Sequence, residues 1–185
     1  MLKLYPHDTD AEAGVSSQTI FSDETAWHMR RYAQAQAAIG KKAYLYYFTH
    51  EPPTEPGKPN LRATHTAEIP YVFNNLKAVR VYPDASSPEL SSASEADRKL
   101  ADIVSSYWVN FARTGDPNGK GLAPWPQYKD KATGRAMILG DTQQAEPLRQ
   151  GAGESRRSGA KADKFDLFDA LYAKQLAAAK AAPVQ

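Results

Sequence analysis

Six consecutive apolar and aromatic residues, Ala43-Tyr44-Leu45-Tyr46-Tyr47-Phe48, stand between two lysines and the exit His50-Glu51-Pro52-Pro53. A run without polar alternation offers no face to water. As a strand it therefore requires cover on both sides, the situation of a sheet with helices packed against it. A run this short also fits a helical piece. A clear helix is available: Leu100, Ile103, Val104, Tyr107, Trp108 and Phe111 recur at helical period and form a broad apolar stripe. Ser92 with Glu95 has the spacing of a capping box for it, and Gly115 supplies a stop. The stripe reads as core, not as a binding surface.

Around these two elements the remaining punctuation is regular. Thr9 with Glu12 marks the start of a short helix to about Ile20. Ser22, followed by Asp23 and Glu24, marks a second that ends at Gly40, with Trp27, Ala33 and Ala37 inward. Residues 51–60, with four prolines and a glycine, form a loop. Pro83 and Pro88 mark another. Gly115-Asp116-Pro117-Asn118-Gly119 is a turn cluster, Pro124-Trp125-Pro126 a stiff loop, and Gly134 a turn into a short strand, Ala136 to Leu139. Residues 149–162 are expected to be a flexible loop. A last helix starts near Asp163 with Phe165, Phe168 and Tyr172 on one side, and its alanine-rich tail, 177–185, is expected to fray.

The composition excludes several classes. With 185 residues and 42% hydrophobic content the chain can build a real core. The formal net charge of +2 does not mark a nucleic-acid binder. There is no cysteine, which rules out disulfides, thiol catalysis and thiolate metal sites. No apolar run approaches the length of a membrane span. The first ten residues carry Asp8 and Asp10 and no apolar segment, so they do not read as a signal peptide, and the compartment stays open.

The chemistry-bearing stretch is Leu61 to Leu76, L-R-A-T-H-T-A-E-I-P-Y-V-F-N-N-L. His65 stands in a polar loop before an apolar-aromatic run, where a fold can hold an imidazole open to solvent and substrate, as a general base requires. Taken locally, His65 is equally a plain loop histidine. His50, directly after the strand, is its main rival. His28 reads as packing or surface and His7 as solvated. No pair of histidines has a helical metal-ligand spacing with a third ligand, so a metal site is not expected.

H-x-x-E-I-P-Y-V-F (His65–Phe73) followed by S-Y-W-V-N-F-A-R-T-G-D-P-N (Ser106–Asn118) resembles the C-terminal part of type-B carboxylesterases. This is the esterase and lipase group of the α/β-hydrolase fold that includes the cholinesterases. The order and spacing agree, and alignable text runs through nearly all 185 residues. The resemblance implies an α/β architecture: the C-terminal portion of an α/β-hydrolase fold, mostly helical with a few strands and an incomplete central sheet, spanning 1–185. It also implies that His65 is the catalytic base. The reaction would be hydrolysis of a carboxylic ester through an acyl-serine, without a cofactor. Glu68 is expected to be a half-buried partner that holds the loop by hydrogen bonds, distinct from the triad acid. Thr64 and Thr66 flank the base as candidates for lining the substrate cavity, though small polar residues in a loop are as readily just loop.

In such hydrolases the chain order is nucleophile, acid, histidine. No G-x-S-x-G is present. Gly153-Glu154-Ser155-Arg156-Arg157 lacks the second glycine, follows no apolar strand and comes after the histidine, so Ser155 is rejected as nucleophile. Asp8, Asp10, Asp23 and Glu24 match no acid motif of the family, and there is no Gly-rich oxyanion segment. The expectation is one third of a triad, little or no activity alone, and a missing N-terminal portion of the fold as partner. The alternatives are a non-catalytic esterase-like interaction module or an orphan gene fragment. A helical binding protein using the basic end is a further one.

Overall fold

The computed structural model describes residues 4–53, 60, 62–76, 93–130, 133–147 and 164–181. They fall into two units, one drawn from Met1–Lys41 and Leu148–Gln185, the other from Lys42–Pro147.

In the first unit, α1 spans Asp10–Ala38 and α4 spans Lys164–Ala181. The α1 start is the expected one: the Thr9 hydroxyl accepts from the Glu12 amide at 3.2 Å, and the Glu12 carboxylate accepts from the Thr9 amide at 3.1 Å. The break expected at Ser22 does not occur, because Asp23 is not a first-turn acid. It is 3% exposed and accepts from Lys164 Nζ at 2.8 Å and from the Tyr5 hydroxyl at 3.1 Å. Its carboxylate is thus consumed by tertiary partners, and no proline interrupts the helix. Thr19 and Thr25 satisfy their hydroxyls on the carbonyls of Val15 and Phe21, four residues back, which lets polar residues stand mid-helix. Gly40, at φ +71°, ends the run as expected.

Trp27 packs with Phe165 and Phe168, and Tyr172 stacks on its ring at 4.4 Å. The Trp27 indole donates to Asp169 Oδ1 at 2.8 Å. Arg30, buried, pairs with the other oxygen of Asp169 at 3.0 Å while its guanidinium lies over Phe165.

In the second unit β1 (Leu45–Phe48), β2 (Arg135–Leu139) and β3 (Gln143–Pro147) form a sheet in that order. β1 runs parallel to β2 with Leu45 opposite Ala136, and β2 runs antiparallel to β3 with Met137 opposite Ala145. The third strand carries no apolar pattern, so nothing in Gln-Gln-Ala-Glu-Pro announced it. It is held by backbone pairing, and Pro147 closes it at an edge. Full burial of β1 on both faces is not realised. Phe48 is buried, but Tyr46 is 39% exposed, its ring edge-on to Trp108 and Trp125.

Helix α3 spans Glu95–Thr114, after the four-residue α2, Ile69–Val72. The capping box of α3 belongs to Ser94 and Asp97, not to Ser92 and Glu95; Ser92 lies outside the described residues. Ser94 has the extended backbone that an N-cap needs, and Asp97 reaches back to its amide at 2.8 Å. Gly115, at φ +72°, terminates the helix as expected. Leu100, Val104 and Tyr107 are buried, Ile103 and Trp108 are partly buried, and Phe111 emerges at 47% exposure. With Phe48, Tyr71, Trp125, Met137 and Leu139 they make the core.

Gly134 shows how tightly the approach to β2 is packed. A Cβ there would stand 2.7 Å from the Asp130 carbonyl oxygen and against the Tyr128 ring. The clash is with backbone, so Gly134→Ala should cost about 1–3 kcal/mol, read as a drop in the urea midpoint at unchanged slope. An unchanged midpoint would mean that this turn relaxes freely. The expected loop 149–162 and Ser155 lie outside the described residues.

Candidate functional site

His65 sits in the turn that leads into α2 and is exposed to solvent. Backbone bonds shape the turn: the Ala67 amide donates to the Thr64 carbonyl and the Ile69 amide to the Thr66 carbonyl, each at 3.1 Å. Thr66 has φ +73° and Arg62 φ +55°, left-handed values that cost a non-glycine residue energy and persist only where surroundings enforce them. The Thr66 hydroxyl donates to the His65 carbonyl at 2.5 Å. Thr64 is exposed. Among the described residues, no hydrogen bond to the His65 imidazole is present.

Glu68 is half-buried and follows three residues on. Its carboxylate accepts from the Tyr46 hydroxyl of β1 at 3.2 Å, and its carbonyl accepts from the Tyr71 and Val72 amides. Burial of the Tyr46 phenol, with the Glu68 charge beside it, pushes its pKa up to about 12. Glu68 thus fastens the turn to the sheet.

The rival histidine is differently placed. His50 Nε2 lies 2.8 Å from Asp97 Oδ1, and Nδ1 lies 3.2 Å from Asp141 Oδ1. Its ring packs edge-on against Tyr71. Both nitrogens face carboxylates, so both ring positions are engaged by acids. Ser94 is near, but its hydroxyl donates to Asp97 Oδ2 at 2.6 Å and is directed at the acid. The arrangement imitates two members of a triad in the wrong order.

Asp97 is the hub. It is 3% exposed and accepts from the Ser94 amide and hydroxyl, the Tyr71 hydroxyl at 2.8 Å and His50. Burial works against its charge, but these bonds outweigh burial and hold its pKa at about 2, below the ordinary 3.8. A depressed folded pKa stabilises above the unfolded value and is lost as pH falls through the folded one. The window is therefore about pH 4 down to about 2, and the contribution on the order of 2 kcal/mol. Asp97→Asn should unfold at lower urea than the parent at pH 5, and the gap should narrow by pH 2.5. A gap that stays constant would remove this account.

His28 bonds the Glu24 carbonyl at 2.9 Å and meets the Tyr172 hydroxyl at 3.2 Å, edge-on to Trp27, which makes it a packing residue. His7 is exposed, with Nδ1 3.1 Å from the Tyr5 carbonyl. Among the described residues no three His, Asp or Glu side chains gather as for a metal ion, and no helix is long and apolar enough to cross a membrane. Sequence reasoning passed over Asp97, Tyr71 and Asp141. The S-x-x-D spacing at Ser94 was the available signal, and it showed a cap, not a hub.

The carboxylesterase family model matches residues 4–155. The medium-chain fatty acyl-CoA hydrolase precursor of Anas platyrhynchos is 39% identical over 92 residues, 48% of this chain and 14% of that protein. Carboxylesterase 1F of Mus musculus is 36% identical over 114 residues, 60% of this chain and 18% of that protein. Among solved structures, an esterase of Clostridium hathewayi that hydrolyses aliphatic aromatic polyesters superposes with a TM-score of 0.50 at 23% identity, covering 78% of this chain and 25% of its own. A pNB esterase gives 0.51 at 23%, covering 78% and 26%. These structures fix the fold: the helices and the three-stranded sheet are part of an α/β-hydrolase. The chain spans less than a fifth of the length of the curated relatives named here. The family match, running through both the His65 motif and Ser106–Asn118, places this chain in the carboxylesterase family.

Proposed function

We propose that this chain carries the general base of a serine carboxylic-ester hydrolase, and that His65 is that base. The observation that carries the reading is an exposed imidazole in an enforced turn, within H-x-x-E-I-P-Y-V-F and inside the family match. In the complete enzyme His65 takes the proton of a serine as it attacks the ester carbonyl. It then returns the proton to the leaving alcohol. Glu68 and Tyr46 hold the turn, Thr64 and Thr66 border the cavity, and residues 1–185 act as one portion of a carboxylesterase domain. Serine, acid and oxyanion donors come from elsewhere in the fold, which is the partner this portion requires. The substrate class is carboxylic esters.

The chain alone is then inactive. Purified 185-residue protein should hydrolyse p-nitrophenyl acetate no faster than the buffer. Turnover that disappears in His65→Ala would show a complete site within these residues and overturn the claim of incompleteness.

Surface chemistry supports the same reading. Tyr44, Tyr46, Tyr107, Trp108, Phe111 and Trp125 border an open cleft of about 150 Å³, and Phe73 is 75% exposed. Apolar side chains left open in this way offer a place where another body can pack. The isolated chain should self-associate in sedimentation at micromolar concentration. A monodisperse monomer would count against a required partner.

A further inference from the structure

Asp97 touches both ends of the segment that carries His65. His50 opens that segment and Tyr71 closes it, and the two side chains converge on one oxygen, Asp97 Oδ1, each at 2.8 Å. We propose that Asp97 is a positioning residue, a clamp that ties Tyr71, at the end of the described turn 62–71, to His50 at the exit of β1, and so fixes where His65 stands. The inference rests on the reading of His65 as the base.

Three observations converge on it. The segment contains residues at left-handed φ, Arg62 and Thr66, and Asn74 at φ +48° lies just past it. In the described turn 62–71, residues at such values hold only where their surroundings enforce them. Asp97 is well placed to do this, because it sits in the first turn of α3, a 20-residue helix whose stripe is in the core. Asp97 is itself immobilised, since Ser94 occupies Oδ2 with both its amide and its hydroxyl and leaves Oδ1 for His50 and Tyr71. The clamp also has local support. Asn74 donates to Asp102 of α3 at 2.8 Å, and Glu68, three residues after His65, accepts from Tyr46 of β1. His50 is then a hinge pin: its second nitrogen faces the exposed Asp141, whose carboxylate adds charge without adding rigidity.

The test uses the full 185-residue chain and amide hydrogen exchange. Tyr71→Phe removes one clamp hydroxyl and keeps the ring in the core; His50→Leu removes the other contact, because leucine has no donor for Asp97. Asp97→Asn removes the charge that both contacts meet, keeps one acceptor oxygen and also weakens the α3 cap, so the two milder variants decide. Each should speed exchange of the bonded amides of Ala67, Ile69, Val72 and Phe73 by about tenfold, the loss of one hydrogen bond to a charged group. β2 and the C-terminal half of α3 should keep their protection, and the His65 imidazole resonances should broaden. A role in general stability alone would lower protection in β2 and α3 by the same factor, and that result, or unchanged exchange at residues 67–73, overturns the clamp. Selective loosening, together with a completed enzyme in which His65→Ala keeps turnover, would keep the clamp and discard the base.

Discussion

Replacing His65 by alanine should abolish ester hydrolysis in any enzyme that this chain completes. The measurement is a chimera in which these 185 residues replace the corresponding portion of the Clostridium hathewayi esterase. Turnover should fall on the order of 10⁴-fold or more, because the serine loses its proton acceptor while binding of the ester is untouched. The loss should appear in kcat, with KM changed little. His50→Gln is the control with a sign. Its ring is occupied by Asp97 and Asp141, so that variant should lose activity only to the extent that the turn around His65 loosens, far less than His65→Ala. A chimera in which His65→Ala keeps turnover within about tenfold of the parent would end the assignment, since a general base contributes about 10²–10⁴. The reverse ranking, with His50→Gln the more damaging, would transfer the role to His50.

The parts of the fold that could be read from the sequence are those whose cause is local. The α3 stripe and its Gly115 stop need only the helical period and one left-handed residue, and both were legible. The Thr9 and Glu12 box was legible for the same reason. What failed was wherever a distant partner decided. Asp23 looks like the first turn of a helix until Lys164, 141 residues away, buries it. β3 has no pattern of its own and exists because β2 offers it an edge. The histidine motif could be seen as text, but the two carboxylates that engage the rival His50 come from 47 and 91 residues away and could not. Asp97 presents itself as a capping residue, and its second oxygen is invisible without the fold.

The text Gly115-Asp116-Pro117-Asn118-Gly119 reads as a turn, and its physical task is to seat Trp125. Asn118 accepts from the Trp125 amide at 2.7 Å and donates to its carbonyl at 2.9 Å, while Asp116 holds Asn118 at 2.7 and 2.9 Å. The indole donates to the Leu45 carbonyl at 2.9 Å, and its rings meet Tyr107 edge-on at 5.2 Å and Trp108 at 5.8 Å. At 4% exposure Trp125 joins β1, α3 and the turn in one contact. Trp125→Ala should therefore cost about 3–5 kcal/mol, the range for emptying a large aromatic site. Trp125→Phe keeps much of the volume and leaves the Leu45 carbonyl without its donor, a loss of about 1–3 kcal/mol. Urea unfolding followed by circular dichroism separates the two. Against an ordinary stability of about 5–15 kcal/mol, the alanine variant should lose a large share of it and unfold at a much lower urea midpoint than Trp125→Phe. A loss below about 1 kcal/mol for Trp125→Ala would mean that the aromatic cleft is loosely filled, and that the G-D-P-N turn is not held for the sake of this residue.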